Sequence, residues 1–232
     1  MLDQLLARGD GLDALRISIA GGALLLALVY LAFVNGPVST VRTVLKTMPI
    51  ALLAILPLTY LGVVGAYTGG LLILATALAL SALGDFFLAL KEKYFVPGLA
   101  SFLTAHVAYL VAFLPRVQMP EGAALVAIVL AVVAAGAFVV YLAPRLGRMR
   151  LPVFAYFAVI MAMVAAALSV REASWMLGAG AAVFALSDSL IAVRKFWTPF
   201  PAINEAVWLT YIAAQFMIAA ALLALLIPAQ VA

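Results

Sequence analysis

The sequence predicts an all-α protein, a polytopic membrane bundle of eight transmembrane helices. Composition is the first reason: 69% of the residues are hydrophobic and only 9% charged, far outside the range of soluble globular domains. The second is the length of the apolar runs, eight of which suffice to cross a bilayer. The third is their texture, because apolar residues continue around every face of each run, whereas a membrane β-barrel alternates apolar and polar positions. A chain of 232 residues has no room for a second, soluble domain beside eight spans. Residues 15–232 therefore read as a single transmembrane domain behind a short polar segment, residues 1–14.

Taken in order, residues 1–14 carry Asp3, Arg8, Asp10 and Asp13, a charge pattern unlike that of a cleavable signal peptide. The apolar runs then cover 15–35, 47–65, 68–90, 95–114, 122–142, 151–170, 174–193 and 203–227. Turn formers punctuate them: Asn35-Gly36-Pro37 closes the first, Gly69-Gly70 opens the third and Pro97-Gly98 the fourth. Pro115 and Pro120, Pro144 and Pro152, and Pro199 and Pro201 mark later connections. Pro49 and Pro57 fall inside the second run and predict a kink there.

The cations set an orientation. Arg42, Lys46, Lys91, Lys93, Arg145, Arg148, Arg150, Arg194 and Lys195 lie in connections after the odd-numbered runs, and Arg8, Arg16, Arg116 and Arg171 on the other side. The positive-inside rule makes the first side cytoplasmic and puts both termini outside, in a membrane that reads as a bacterial inner (plasma) membrane. A net charge of +4, spread over short loops without interleaved aromatics, points to lipid headgroups and not to nucleic acid. The chain has no cysteine and one histidine, His106, which excludes disulfides, thiol nucleophiles, thiolate metal sites and multi-histidine zinc. No metal or other cofactor is expected.

One stretch occurs twice. Residues 82–91 read Ala-Leu-Gly-Asp-Phe-Phe-Leu-Ala-Leu-Lys and residues 185–194 Ala-Leu-Ser-Asp-Ser-Leu-Ile-Ala-Val-Arg. Each places a carboxylate, Asp85 or Asp188, six residues before a cation, about 9 Å deeper along a helix. The third and seventh runs point the same way, so both carboxylates sit at one depth, as in a parallel repeat of four helices plus four. An ionisable group inside a span is costly and marks function by default.

Other polar residues share that depth. Phe102, His106, Tyr109 and Phe113 fall on one face of the fourth run, and Asn204, Trp208, Tyr211 and Gln215 on one face of the eighth. Polar faces turn toward a bundle interior, which predicts that Asp85, Asp188, His106, Tyr211 and Gln215 converge on a cavity opening toward the cytoplasm. For His106, Tyr211, Gln215, Ser81 and Ser187, interhelical hydrogen bonds worth about 1 kcal/mol each explain the residues equally well. Glu92, Glu121, Glu172 and Glu205 lie in or beside loops and read as solvated. No Gly-x-Ser-x-Gly elbow, phosphate-binding glycine loop or dinucleotide fingerprint is present.

The ordered set Lys46-x-x-Pro49, Gly84-Asp85, Phe95-x-x-Gly98-x-x-x-Phe102-x-x-x-His106-x-x-Tyr109, Phe184-x-x-Ser187-Asp188 and Tyr211-x-x-x-Gln215 resembles the YhhN family of lysoplasmalogenases. The resemblance runs over residues 46–220. It implies an eight-helix membrane enzyme that hydrolyses the vinyl ether bond of lysoplasmalogens to a fatty aldehyde and glycerophospho-ethanolamine or -choline, with Asp85 and Asp188 as the essential pair.

That chemistry fits the residues. Protonating the β-carbon of a vinyl ether creates an oxocarbenium ion that water attacks, which asks for one carboxylic acid and one carboxylate. The sequence expectation makes Asp85, between Gly84 and Phe86, the acid, and Asp188, flanked by the hydroxyls of Ser187 and Ser189, the anion. His106, Tyr109, Tyr211, Gln215 and Ser187 then orient the pair or the water, while Lys46, Lys91, Lys93, Arg194 and Lys195 attract the phosphate of a lysophospholipid. The expected partners are that lipid and the bilayer, and a homo-oligomer is compatible with the pattern. Two rival readings remain at this level, a proton-coupled transporter and a non-catalytic lysolipid-binding membrane protein.

Overall fold

The computed structural model describes residues 5–173 and 175–228. Asp3 and both chain ends lie outside the described residues. Within them the chain is all-helical, with eight long apolar helices: α1 (Asp13–Tyr30), α2 (Thr40–Ile55), α3 (Thr68–Ala89), α4 (Phe95–Phe113), α5 (Gly122–Leu142), α6 (Arg150–Leu168), α7 (Trp175–Phe196) and α8 (Ile203–Leu226). Each, with the 3-10 turns that extend several of them, is long and apolar enough to cross a membrane. The protein is an integral multi-pass membrane protein.

The helices fall into two compact units, one containing the residues up to Ala112 together with those from Ile218 onward, the other Phe113–Met217. In the first unit α2 differs from expectation. It begins at Thr40, where the Ser39 side chain accepts a hydrogen bond from the Arg42 backbone N–H, and not at the start of the apolar run at residue 47. The first two turns hold Thr40, Arg42, Thr43, Lys46 and Thr47, too polar to register as part of an apolar run, yet the serine cap nucleates helix there. Arg42 and Lys46 are therefore helical and not loop residues. The Arg42 guanidinium donates to Ala89 O at 3.2 Å and Val34 O at 3.4 Å, bonding the end of α3 and the turn after α1 to α2. Pro49 lies within α2, and the α-helix gives way to a 3-10 turn at Leu56–Tyr60, which contains Pro57. The end of α8 joins this unit, with Tyr67 N–H donating to Leu226 O at 2.8 Å.

The second unit packs α5, α6, α7 and the first part of α8. Its apolar cluster gathers Val139, Leu142, Leu146, Val153, Phe157 and Ala192 at one end. Beside it Tyr141 and Trp197 pack in a tilted pair with ring centres 4.3 Å apart, and the Arg145 guanidinium lies 4.5 Å from the centre of the Trp197 ring. Beyond Val139 and Leu142, α5 buries little.

Candidate active site

Asp85 sits in the first unit, and Gly84 explains how it is enclosed. A Cβ built on Gly84 would lie 2.6 Å from the Phe102 ring, so only glycine lets Phe102 of α4 lie flat against α3. Ser101 fastens the same contact by donating to Leu80 O at 2.7 Å. Asp85 is 2% exposed, and the Lys46 ammonium stands 3.9 Å from its Oδ1. Lys46 is thus aimed inward at a carboxylate, not only outward at a headgroup. His106 is fully buried, its Nδ1 2.6 Å from Phe102 O, which makes that nitrogen the protonated one. Tyr109, also fully buried, hydrogen-bonds with Ser81, whose own hydroxyl donates to Ala77 O. Lys91 is exposed at the head of the 3-10 turn Glu92–Tyr94.

Asp188 sits in the second unit, 6% exposed. Its hydroxyl partner is Tyr156 of α6, which donates to Asp188 Oδ2 at 2.9 Å. The expectation that Ser187 and Ser189 supply those hydroxyls is corrected: Ser187 donates to Val207 O at 3.0 Å and Ser189 to Ala185 O at 2.8 Å. Each hydroxyl has one proton, and in a helix the carbonyl four residues back, or a close neighbouring helix, is nearer than an adjacent side chain that points 100° away. Arg194 donates to Asn204 Oδ1 at 2.8 Å, joining α7 to the start of α8. Tyr211 packs edge-on against Phe184, with ring centres 5.5 Å apart, and Gln215, one turn further along α8, is fully buried.

The two carboxylates are built alike. Each is held by the helix that precedes its own in the chain, from the seventh residue of that helix: Lys46 in α2 and Tyr156 in α6. The chemistry differs, an ammonium on one and a neutral phenol on the other. Tyr156 escaped the sequence reading, yet a signal was present. It lies six residues from Arg150 on the antiparallel neighbour of α7, the same spacing that separates Asp188 from Arg194. Among the described residues, Asp85 and Asp188 are the buried carboxylates.

The YhhN family model matches residues 41–222. Relatives include the lysoplasmalogenase of Mycobacterium tuberculosis, 37% identical over 153 residues, which cover 63% of this chain and 59% of the relative. The human lysoplasmalogenase TMEM86B is 34% identical over 175 residues, 75% of this chain and 71% of that protein, and human lysoplasmalogenase TMEM86A is 32% identical over 193 residues, 78% of each. The match thus spans less than two thirds of the mycobacterial relative's length. No solved structure matches the chain. With the matched region extending from the first turns of α2 through most of α8 and containing Lys46, Asp85, Tyr156 and Asp188, the chain belongs to the YhhN family.

Proposed function

We propose that this protein is a membrane-embedded hydrolase that cleaves the vinyl ether bond of lysoplasmalogens, releasing a fatty aldehyde and a glycerophospho-ethanolamine or -choline. The observation that carries the reading is the pair of buried carboxylates, each met by a polar side chain of the preceding helix, in a chain whose relatives carry the name lysoplasmalogenase.

The partners support a division of labour opposite to the one the flanking residues suggest. Asp188, whose partner is a neutral phenol, serves as the acid: its proton goes to the β-carbon of the vinyl ether, and the C=C electron pair forms that C–H bond. Asp85, ion-paired with Lys46, serves as the anion that takes a proton from the water attacking the oxocarbenium carbon. As the hemiacetal breaks its bond to the glycerol oxygen, Asp85, now protonated, gives that oxygen its proton and Asp188, now ionised, takes the proton of the hemiacetal hydroxyl, which leaves the aldehyde, a free glycerol hydroxyl and both carboxyl groups in their starting states. His106, Tyr109 and Ser81 brace the surroundings of Asp85, and Ser187, Tyr211 and Gln215 those of Asp188. Lys91 lies just beyond the end of α3 and Arg194 in the last turn of α7, where a lipid phosphate is met. The reading includes a plasma-membrane location, with termini outside and the cation-rich connections in the cytoplasm.

Asp85→Asn and Asp188→Asn should each lower aldehyde release from lysoplasmenyl-ethanolamine at least about 100-fold while melting stays cooperative. Full activity in either variant rejects the mechanism. Uptake into proteoliposomes driven by a proton gradient, with the lipid intact by mass spectrometry, would instead establish the transporter reading.

A further inference from the structure

α5 is fastened to its unit at one end only. Val139 and Leu142 are buried with Val153, Phe157 and Ala192, while the rest of the helix is largely uncovered. Along its uncovered length, α5, α6 and α7 enclose a groove of about 300 Å³, lined by Ala131, Ala135, Phe157, Ala182, Ala185 and Ser189 among others. Side-chain size is its cause, since α5 and α7 face the space with alanines where leucines would close it.

The groove is placed with respect to the chemistry. Phe157 follows Tyr156, and Ser189 follows Asp188, so one end lies at the level of the Tyr156–Asp188 hydrogen bond. From there it runs from Ser189 to Ala182 on α7 and from Phe138 to Ala131 on α5, roughly 10 Å by helical rise. That direction leads away from the end of the unit that holds Arg145, Arg148 and Arg150, at the junction of α5 and α6, and Arg194 and Lys195, in the last turn of α7. Ala182 is exposed, which leaves the groove open sideways to lipid. Cations at one end, a carboxyl next, and an apolar slot beyond it complement a phosphate, a reactive bond and a hydrocarbon tail in that order.

We infer that this groove receives the single hydrocarbon chain of the lysophospholipid substrate and sets chain-length preference. The inference rests on the hydrolase reading above. It makes Ala135 and Ala182 specificity-determining positions, because neither is buried and a larger side chain there takes up groove volume that methylene groups of the lipid would fill.

The test compares wild type with Ala182→Leu and Ala135→Leu, which fill the groove from opposite walls, and with Ala137→Leu, an exposed α5 position outside it. The substrates are lysoplasmenyl-ethanolamines bearing a hexadecenyl or a hexenyl chain. The groove variants should lower kcat/KM for the long chain about tenfold, equivalent to losing roughly two methylene contacts, and change the short-chain value less than about twofold. Ala137→Leu should match wild type on both. An equal effect on both chains, or none, overturns the groove and leaves the hydrolase reading standing. Absence of aldehyde from wild-type protein with either lipid overturns the hydrolase reading and the groove with it. Should the leucine variants show no melting transition, Ala182→Val and Ala135→Val carry the same comparison.

Discussion

Tyr156 holds Asp188 by one hydrogen bond between α6 and α7, and removing only its oxygen isolates what that bond does. Tyr156→Phe keeps the ring in place and should lower kcat about tenfold with KM nearly unchanged, since one hydrogen bond to a carboxyl is worth on the order of 1–2 kcal/mol. The melting temperature should shift by no more than a few degrees. An unchanged kcat and pH profile would reduce Tyr156 to an interhelical tie. The contrast with the aspartates shows what is legible in a sequence at this scale. Asp85 and Asp188 stand out because a carboxylate inside an apolar run has no cheap explanation. A tyrosine there has several, and the donor to Asp188 could not be chosen among Tyr156, Ser187 and Ser189 until the helices were packed. Gly84 carried the same ambiguity: its place before Asp85 is visible in the sequence, but its reason, the Phe102 ring lying against it, is a contact between helices.

At the level of elements, α1 shows a cation that serves packing. Arg16, counted with the non-cytoplasmic charges, is fully buried: it pairs with Asp10 at 2.6 Å and Asp13 at 3.4 Å, donates to Thr59 O at 2.9 Å, and covers the Tyr60 ring at 4.2 Å. These contacts bind α1 to the 3-10 turn that ends α2. The hydrogen bond from Arg16 holds the Asp10 carboxyl below its ordinary 3.8. A carboxyl depressed in the folded state stabilises above its unfolded value and loses that contribution as pH falls through the folded one. The melting temperature should therefore drop on acidification below about pH 4. In Asp10→Asn it should start lower at neutral pH and fall less steeply, and parallel curves would sever the connection to Arg16. The misplaced start of α2 belongs to this scale too. Hydropathy finds where a helix is apolar, not where it is helical, and the Ser39 cap begins α2 two turns before the apolar run.

Across the whole molecule, the cation-rich connections define a direction that can be measured. The chain has no cysteine, so single substitutions can be labelled without background. With a membrane-impermeant maleimide, Met119→Cys should react in intact cells and Arg148→Cys only after permeabilisation. The reverse pattern would invert the orientation. Membrane class, the number and order of spans and the family resemblance were all determined by the sequence itself, because each follows from local hydropathy, spacing and residue order. Which partner each carboxylate received was decided only by tertiary structure. Lys46 meets Asp85 across 39 residues of sequence and Tyr156 meets Asp188 across 32, and such pairings depend on helix rotation and close packing, which no single run of residues encodes. The same holds for the groove, whose alanines are visible in the sequence but come to face one another only when α5, α6 and α7 pack.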